Sequence, residues 1–269
     1  MTFGIDKKGP SAKTRFAARD CAPLPLIDIT MTAVRRPEIL KRTLNSFFKN
    51  LYSMAYDKCR IIVNIDPIGD SIASFTMCDI ISAYAPRYII SLPLESSFPR
   101  AFKWTWEQVT APWVFHLEDD WELLEPVDLG AMISMMEKHK NLASLRLPFF
   151  DSTAKSMKNW NLQFPWNGEY FACPIELRQQ AGFAGHPSLL RGEFVRNCVP
   201  LLDDTINPEK QFHSGNAPLV TEVLNWEYGV WGKPNSKKVL ADIGSAWRTE
   251  NKFQKAGSKA FFTQWEKIK

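Results

Sequence analysis
The stretch that most constrains this chain is Val114-Phe115-His116-Leu117-Glu118-Asp119-Asp120-Trp121. A short apolar run of strand character ends in three consecutive carboxylates. A strand this short and apolar is expected to be buried in a parallel sheet. One unpaired buried carboxylate is costly, and adjacent ones repel each other. The acids are therefore expected at the strand's carboxyl end, facing a crevice, where open α/β sheets bind ligands. A hard divalent cation would relieve the repulsion and recruit a phosphate-bearing ligand. A second reading makes the acids a cap on the following helix, since Pro126 and Asp128 have the character of a helix start.

The rest of the chain bears on that choice. Residues 26–32 read as a first strand, and Ala33-Val34-Arg35-Arg36-Pro37 turns into a helix with Pro37 in its first turn. Ile39, Leu40, Leu44, Phe47, Phe48 and Leu51 then recur at helical spacing. Residues 60–66 form a second strand ending in Asp66, 72–83 a helix, 88–92 a third strand, and 98–109 a helix carrying Arg100 and Lys103. This alternation argues for βαβ units and a mostly parallel sheet. Thr32 with Arg35, Asp66, and Glu118 to Asp120 all stand at strand ends, so they converge on one sheet edge. That convergence favours a nucleotide and metal site over a helix cap.

The second half is less regular. A Met-rich helix is expected over 127–140 and a strand over 142–147, followed by an irregular stretch over 149–180 with Trp160, Phe164, Trp166, Tyr170 and Phe171. These aromatics suit a sugar or base platform, but for most of them core packing is the simpler reading. A short helix follows over 192–197, a loop over 207–217, a helix over 219–230 carrying Glu222 and Glu227, and a strand and turn over 238–245. The Lys-rich tail reads as helical.

Five cysteines, Cys21, Cys59, Cys78, Cys173 and Cys198, are odd in number and lack C-x-x-C spacing, which argues against a disulfide framework or a zinc site. Reduced thiols in a cytoplasmic protein are expected, or in host-cell cytoplasm if the source is viral. The first 19 residues lack an apolar signal core, and no run is long enough to span a membrane. The net charge of +4 is modest, yet residues 231–269 hold nine Lys/Arg against three Asp/Glu.

Over roughly residues 26–248 the order of these features resembles the GT-A glycosyltransferases, in particular the family-two-like branch. The stretch from Ile29 to Pro37, followed by Leu40-Lys41-Arg42-Thr43-Leu44, looks like the family's first nucleotide-binding turn and helix. Asp66 matches the acid that contacts the nucleoside. Arg100-Ala101 and Lys103-Trp104 sit where the family approaches the nucleotide. Glu118-Asp119-Asp120 looks like the D-x-D motif, with Glu in place of the first Asp.

The resemblance implies an α/β fold: a GT-A-like, Rossmann-type, mostly parallel sheet flanked by helices, with an irregular acceptor-side second half. It implies a flexible arm over 1–25, a nucleotide-sugar-binding half over 26–126, an acceptor and catalytic half of the same domain over 127–248, and a basic tail over 249–269. The implied activity is that of a metal-dependent hexosyl- or pentosyltransferase using a nucleoside-diphosphate sugar, a UDP-sugar first, with Mn²⁺ or Mg²⁺. Asp120 would ligate the metal. Glu118 would contact the ribose or the metal through water, with Asp119 a further candidate. Thr32, Arg35, Asp66, Arg100 and Lys103 would meet the nucleotide. Asp242, in Asp242-Ile243-Gly244-Ser245-Ala246-Trp247, stands where many relatives place a metal-binding His. The family's base lies at the start of a helix in the second half. Glu222 is the first candidate and Glu227 the second, and each also reads as a solvated helix charge.

Sequence says least about the acceptor. The basic stretch over 231–269 fits a solvated tail, and it also fits a polyanionic acceptor. Compact GT-A-like enzymes that glycosylate hydroxymethylated bases in phage DNA make DNA one reading, and glycan, lipid-linked or protein acceptors the others. Two further classes stand beside a transferase. One is a non-catalytic nucleotide-sugar or glycan-binding module on the same fold. The other is a metal-dependent nucleotidyltransferase or nuclease, for which the sequence offers no Gly-rich phosphate loop.

Overall fold
The structure, a computed structural model, describes residues 15–19, 26–53, 56–151, 164–250, 252–256 and 264–267. The first half alternates strand and helix: β1 (Arg15–Arg19), β2 (Ile27–Val34), α1 (Pro37–Asn50), β3 (Leu51–Tyr52), β4 (Cys59–Asp66), α2 (Ala73–Tyr84), β5 (Tyr88–Leu92), α3 (Phe98–Glu107) and β6 (Trp113–Glu118). Next come β7 (Trp121–Leu123), β8 (Val127–Asp128), α4 (Leu129–Lys138), β9 (Leu142–Arg146), β10 (Phe171–Ala172), α5 (Arg178–Ala181), β11 (Ser188–Arg191) and α6 (Gly192–Cys198). The chain ends in α7 (Pro208–Lys210), α8 (Ala217–Leu224), β12 (Glu227–Val230), β13 (Leu240–Asp242), α9 (Gly244–Glu250), β14 (Phe253–Ala256) and β15 (Gln264–Lys267).

Among the described residues a nine-stranded sheet has the order β1-β5-β4-β2-β6-β11-β9-β12-β10. Strands β5, β4, β2 and β6 run parallel, as do β9 and β12. Strand β11 lies antiparallel between β6 and β9, and the edge strands β1 and β10 are antiparallel to their neighbours. The chain moves outward from β2 to β4 and β5, then returns to the other side of β2 as β6. That reversal opens a crevice at the carboxyl ends of β2 and β6. Register aligns Val34 with Asp66 and Thr32 with Glu118 at this edge.

Two-residue alternation sets what each face carries. Ile27, Ile29, Met31 and Ala33 of β2, with Cys59, Ile61, Val63 and Ile65 of β4, pack in one core with α1, α2 and α4. The opposite face of the same strands is polar: Asp28 beside Arg60, Thr30 beside His116, and Thr32 beside Asn64 and Glu118. A second core, built on α3, α6 and α8, closes over that face. Phe102, Trp106, His116, Phe183 and Phe212 form its aromatic centre, with Phe183 and Phe212 stacked at 4.1 Å.

Several local expectations change. The helix expected over 219–230 is two elements, α8 and β12. Gly229 packs where a Cβ would strike the Tyr170 ring, and Tyr228 to Val230 hydrogen-bond alongside β9. The loop expected over 207–217 contains α7 and a wide helical turn, Gln211–Gly215. The tail contributes an antiparallel strand pair, β14 with β15, where a helix was expected. Residues 15–19 form an edge strand; the remainder of the arm up to residue 25, with Cys21 and Trp160, lies outside the described residues. Phe164 and Tyr170 are buried, as core aromatics. The helix after the motif is capped by Asp128, whose side chain accepts from Ala131 N at 3.0 Å. The acidic motif is thus not that helix's cap. Among the described residues no helix is long and apolar enough to cross a membrane.

Candidate functional site
At the carboxyl edge of β2, β4 and β6 lies a cleft of about 240 Å³. Its walls include Thr32, Asp66, Glu118, Asp119, Asp120 and Asp242, so the structure brings six of the expected residues together. Arg36, Asn207, Glu209 and Arg248 also line it.

The motif does not continue as an extended strand. Strand β6 stops at Glu118, and the chain turns through Asp119 and Asp120 into β7. Each acid therefore has its own surroundings. Asp119 is buried and acts as a structural anchor. Arg36 Nε and Nη2 donate to its two oxygens at 3.0 and 2.6 Å, Val34 N donates at 3.2 Å, and Thr43 Oγ1 donates to its carbonyl at 2.6 Å. Arg36 Nη2 also lies 2.9 Å from Asp120 Oδ2. Burial alone would weaken the Arg36 charge, but Asp119 and then Asp120 outweigh it, and the guanidinium pKa is raised. Asp120 has its pKa raised by burial, opposed by Arg36 and reinforced by Asp119. Burial, then Asp120 and Glu209, push the Glu118 carboxyl well up, although Trp121 Nε1 donates to it at 3.3 Å.

Asp242 reaches the cleft through a separate ribbon, in which β13 pairs with β7 and sets Asp242 opposite Trp121. Ile243 N donates to the Asp120 carbonyl at 2.9 Å. Asp242 Oδ1 caps α9, accepting from Gly244 N and Ser245 N at 2.9 and 3.2 Å. Arg248, on the same helix, lies 3.8 Å from Asp120 Oδ2 and 3.9 Å from Asp242 Oδ2.

Asp66, at the carboxyl end of β4, lines the cleft. Asn64 Nδ2 and Ser97 N donate to its oxygens at 2.8 and 3.0 Å, and burial pushes its pKa up to about 6 against those two bonds. On the far wall is Glu209, whose Oε1 accepts from Gly185 N at 3.0 Å. Buried Gln211 fixes the loop that carries it, donating to the carbonyls of Asp203 and Ile206 and accepting from Asp203 N.

Five expected residues do not line the cleft. Arg35 donates to Ser74 Oγ at 2.9 Å, Arg100 lies 3.5 Å from Glu95 on the surface, and Lys103 Nζ donates to the Leu202 carbonyl at 2.7 Å. Glu222 accepts from Asn197 Nδ2 and Trp226 Nε1 at 3.0 and 2.8 Å. Glu227 opens β12 and lies 3.6 Å from Arg178. Helical periodicity placed both glutamates on one helix, and the family resemblance made them base candidates, whereas the acids that line the cleft from the second half are Asp242 and Glu209.

Carboxylate oxygens suit Mg²⁺ or Mn²⁺, and Glu118, Asp120 and Asp242 share one cleft, so the donor set fits such an ion chemically. Among the described residues, no three His, Cys, Asp or Glu side chains are drawn close enough to hold a metal. The cations now facing Asp120 are Arg36 and Arg248.

No protein-family model matches the sequence, and no curated protein is similar to it. Solved structures do share its fold. TarS residues 1–349 from S. aureus in complex with UDP-GlcNAc superposes with a TM-score of 0.58 at 10% identity, covering 82% of this chain and 60% of that one. The same TarS segment alone gives 0.57 at 8% identity, covering 80% and 59%, and its UDP complex gives 0.56 at 10%, again covering 80% and 59%. The chain therefore spans about 60% of the length of those structures. At such identity the likeness is one of fold, and the fold is GT-A: a large, mostly parallel central sheet flanked by helices.

Proposed function
We propose that this chain is a glycosyltransferase that moves a sugar from a nucleoside-diphosphate sugar to an acceptor hydroxyl. A UDP-sugar is the first donor to try, with Mn²⁺ or Mg²⁺ at Glu118, Asp120 and Asp242. The observation that carries this reading is the charge of the cleft: six carboxylates and two arginines line it. A diphosphate would be repelled by that excess of negative charge unless a cation came with it. The TarS structure of the same fold is a complex with UDP-GlcNAc, and the acids here stand at the sheet's switch point, where such ligands bind.

The residues then divide the work. Asp66 and Thr32 face the nucleoside, where a buried carboxylate accepts hydrogen bonds from a base or ribose. Arg36 holds the motif rigid through Asp119. A cation bound at Asp120 would stabilise the charge of the departing nucleoside diphosphate. Glu209 is the base we assign in place of Glu222 and Glu227. Its carboxylate takes the acceptor's hydroxyl proton as the new bond to the anomeric carbon forms and the bond to the diphosphate breaks.

The acceptor reading rests on charge. The basic stretch over 231–269 favours a polyanion, and hydroxymethylated DNA belongs in the first panel beside neutral glycans. The test is nucleoside-diphosphate release from a panel of donors with Mn²⁺ or Mg²⁺, with and without each acceptor. Glu209→Gln should lower kcat by about 10²–10⁴-fold with donor affinity retained. Donor binding with no turnover by any acceptor would replace the enzyme with a binding module. Release of pyrophosphate, or cut DNA, would point to a nucleotidyltransferase or a nuclease.

A further inference from the structure
Among the described residues the Glu209 carboxylate makes one hydrogen bond, in which Oε1 accepts from Gly185 N at 3.0 Å. The backbone is packed close on the acid: a Cβ at Gly185 would lie 3.2 Å from the same oxygen. The direction of the carboxylate therefore depends on where the stretch from Phe183 to Gly185 sits. The sheet holds that stretch from one side. Arg146 Nη2 donates to the Ala181 carbonyl, Leu147 N donates to the Pro187 carbonyl at 3.0 Å, and the buried His116 ring hydrogen-bonds the backbone of Gly185. None of those three bonds reaches the segment that carries Glu209. That segment is α7, continued by the wide turn Gln211–Gly215. It meets the loop at two further points: Phe212 stacks on Phe183 at 4.1 Å, and His213 Nε2 donates to the Phe183 carbonyl at 2.9 Å. The Gln179 side chain in turn donates to the His213 carbonyl at 3.0 Å.

We propose that His213 is the positioning residue for Glu209. Its bond to the Phe183 carbonyl fixes the register between the two segments, which keeps Gly185 N–H on Glu209 Oε1 and leaves Oε2 for the acceptor hydroxyl. This deepens the reading of Glu209 as the base and rests on it. His213 follows Glu209 by four residues, so the two side chains leave the same side of a helical run. They grip backbone groups two residues apart on the facing loop. Ring stacking presses the segments together but tolerates a slide between them, whereas a hydrogen bond weakens steeply once its angle is lost. A base works only within hydrogen-bond reach of the proton it takes. A slide between the segments would therefore cost rate and spare donor binding.

Two measurements on the full chain test this. The first is amide hydrogen exchange at Gly185, resolved to single residues with no ligand present. His213→Leu is expected to speed it by about tenfold, the loss of one hydrogen bond, while exchange at Val63 in the buried strand β4 stays as in the wild type. His213→Gln should restore most of the protection, because its amide Nε2 takes the place of the ring Nε2 and donates to the same carbonyl. His213→Asn, whose amide is too short to reach, serves if the Leu variant does not fold. The second is UDP release from UDP-GlcNAc with Mn²⁺, to water and to the acceptors of the panel above. His213→Leu should lower kcat by about 10- to 100-fold with the donor KM unchanged, and His213→Gln should recover it. Unchanged exchange at Gly185 in His213→Leu overturns the proposal. So does an unchanged kcat in His213→Leu when Glu209→Gln is slowed. Full activity in Glu209→Gln instead overturns the reading of Glu209 as the base. If no donor is turned over, the function proposed above fails, and exchange at Gly185 alone decides whether His213 sets the Glu209 bond.

Discussion
The guanidinium of Arg36 engages Asp119 through two nitrogens and Asp120 through one, at 6% exposure. Breaking a buried ion pair from one side costs about 3–5 kcal/mol, because the remaining charge is left without its partner. Arg36→Met should lose that much in urea unfolding, and adding Asp119→Leu should recover a good part of it. A double variant no more stable than the single would mean the pair is not what anchors the turn. Asp66 makes the opposite case, since its bonded donors are the neutral groups Asn64 and Ser97, and burial lifts its pKa to about 6. The unfolded value is about 3.9. With the folded pKa the higher one, the proton stabilises the fold: that contribution is complete below about pH 4 and is lost as pH rises through about 6. Asp66→Asn lacks this slope. Its stability relative to the wild type should climb by about 2–3 kcal/mol from about pH 4 to about pH 6.5 and then level off, whatever constant offset the altered hydrogen bonds add. A flat difference would refute the assignment. At this scale the sequence shows Thr32, Asp66, Glu118 and Asp120, because a polar residue ending an apolar strand is a local signal. It does not separate Arg35 from Arg36. Which one enters the cleft depends on the turn, where Gly69, at φ +107°, packs against the backbone of Arg35, and the Arg35 side chain is held by Ser74.

The ribbon of β7 and β13 carries the second half of the site into the first. Pairing of Asp242 with Trp121, and of Ile243 N with the Asp120 carbonyl, brings the start of α9 against the motif. Gly244 is there because nothing larger fits: a Cβ would collide with the Asp120 carboxylate. Gly244→Ala must therefore push Asp120 or the helix aside, an overpacking that costs about 1–3 kcal/mol. The expected signature is a loss of Mn²⁺ and UDP affinity larger than the loss of stability, measured by titration and urea unfolding on the same preparation. Unchanged ligand affinity would show that the carboxylate's position here is unimportant. None of this pairing is visible in residues 238–245 alone, which read as a strand and turn but not as a partner of β7. The same limit explains the helix misread over 219–230. Leu219 and Val223 keep helical spacing, and only the place beside β9 makes a strand of Glu227 to Val230. Glu209 escapes for a third reason: its helix is three residues long, too short to leave a periodic trace.

Across the whole molecule, the polar face of β2, β4 and β6 runs from a sealed end to an open one. At the amino ends of the strands, Asp28 accepts from Arg60 Nε and Nη2 at 2.8 and 3.0 Å and from Thr110 N and Ala111 N at 2.8 and 2.9 Å, entirely out of contact with water. At the carboxyl ends, the same face presents Thr32, Asp66 and Glu118 to the cleft. The βα alternation and this open end are readable in the sequence, since a parallel sheet puts its ligand site at that edge. The sealed end is not, because an Asp and an Arg inside apolar strands become a pair only when β2 and β4 align in register. The two ends should respond independently, since they do not share side chains. Arg60→Met leaves Asp28 charged and buried, and the expected cost is again about 3–5 kcal/mol. Under conditions where the variant is still folded, its affinity for UDP with Mn²⁺ should match the wild type, as read by calorimetric titration. A parallel collapse of nucleotide affinity in the folded variant would mean that the sheet passes strain from one end to the other, and that the cleft depends on the whole length of β2.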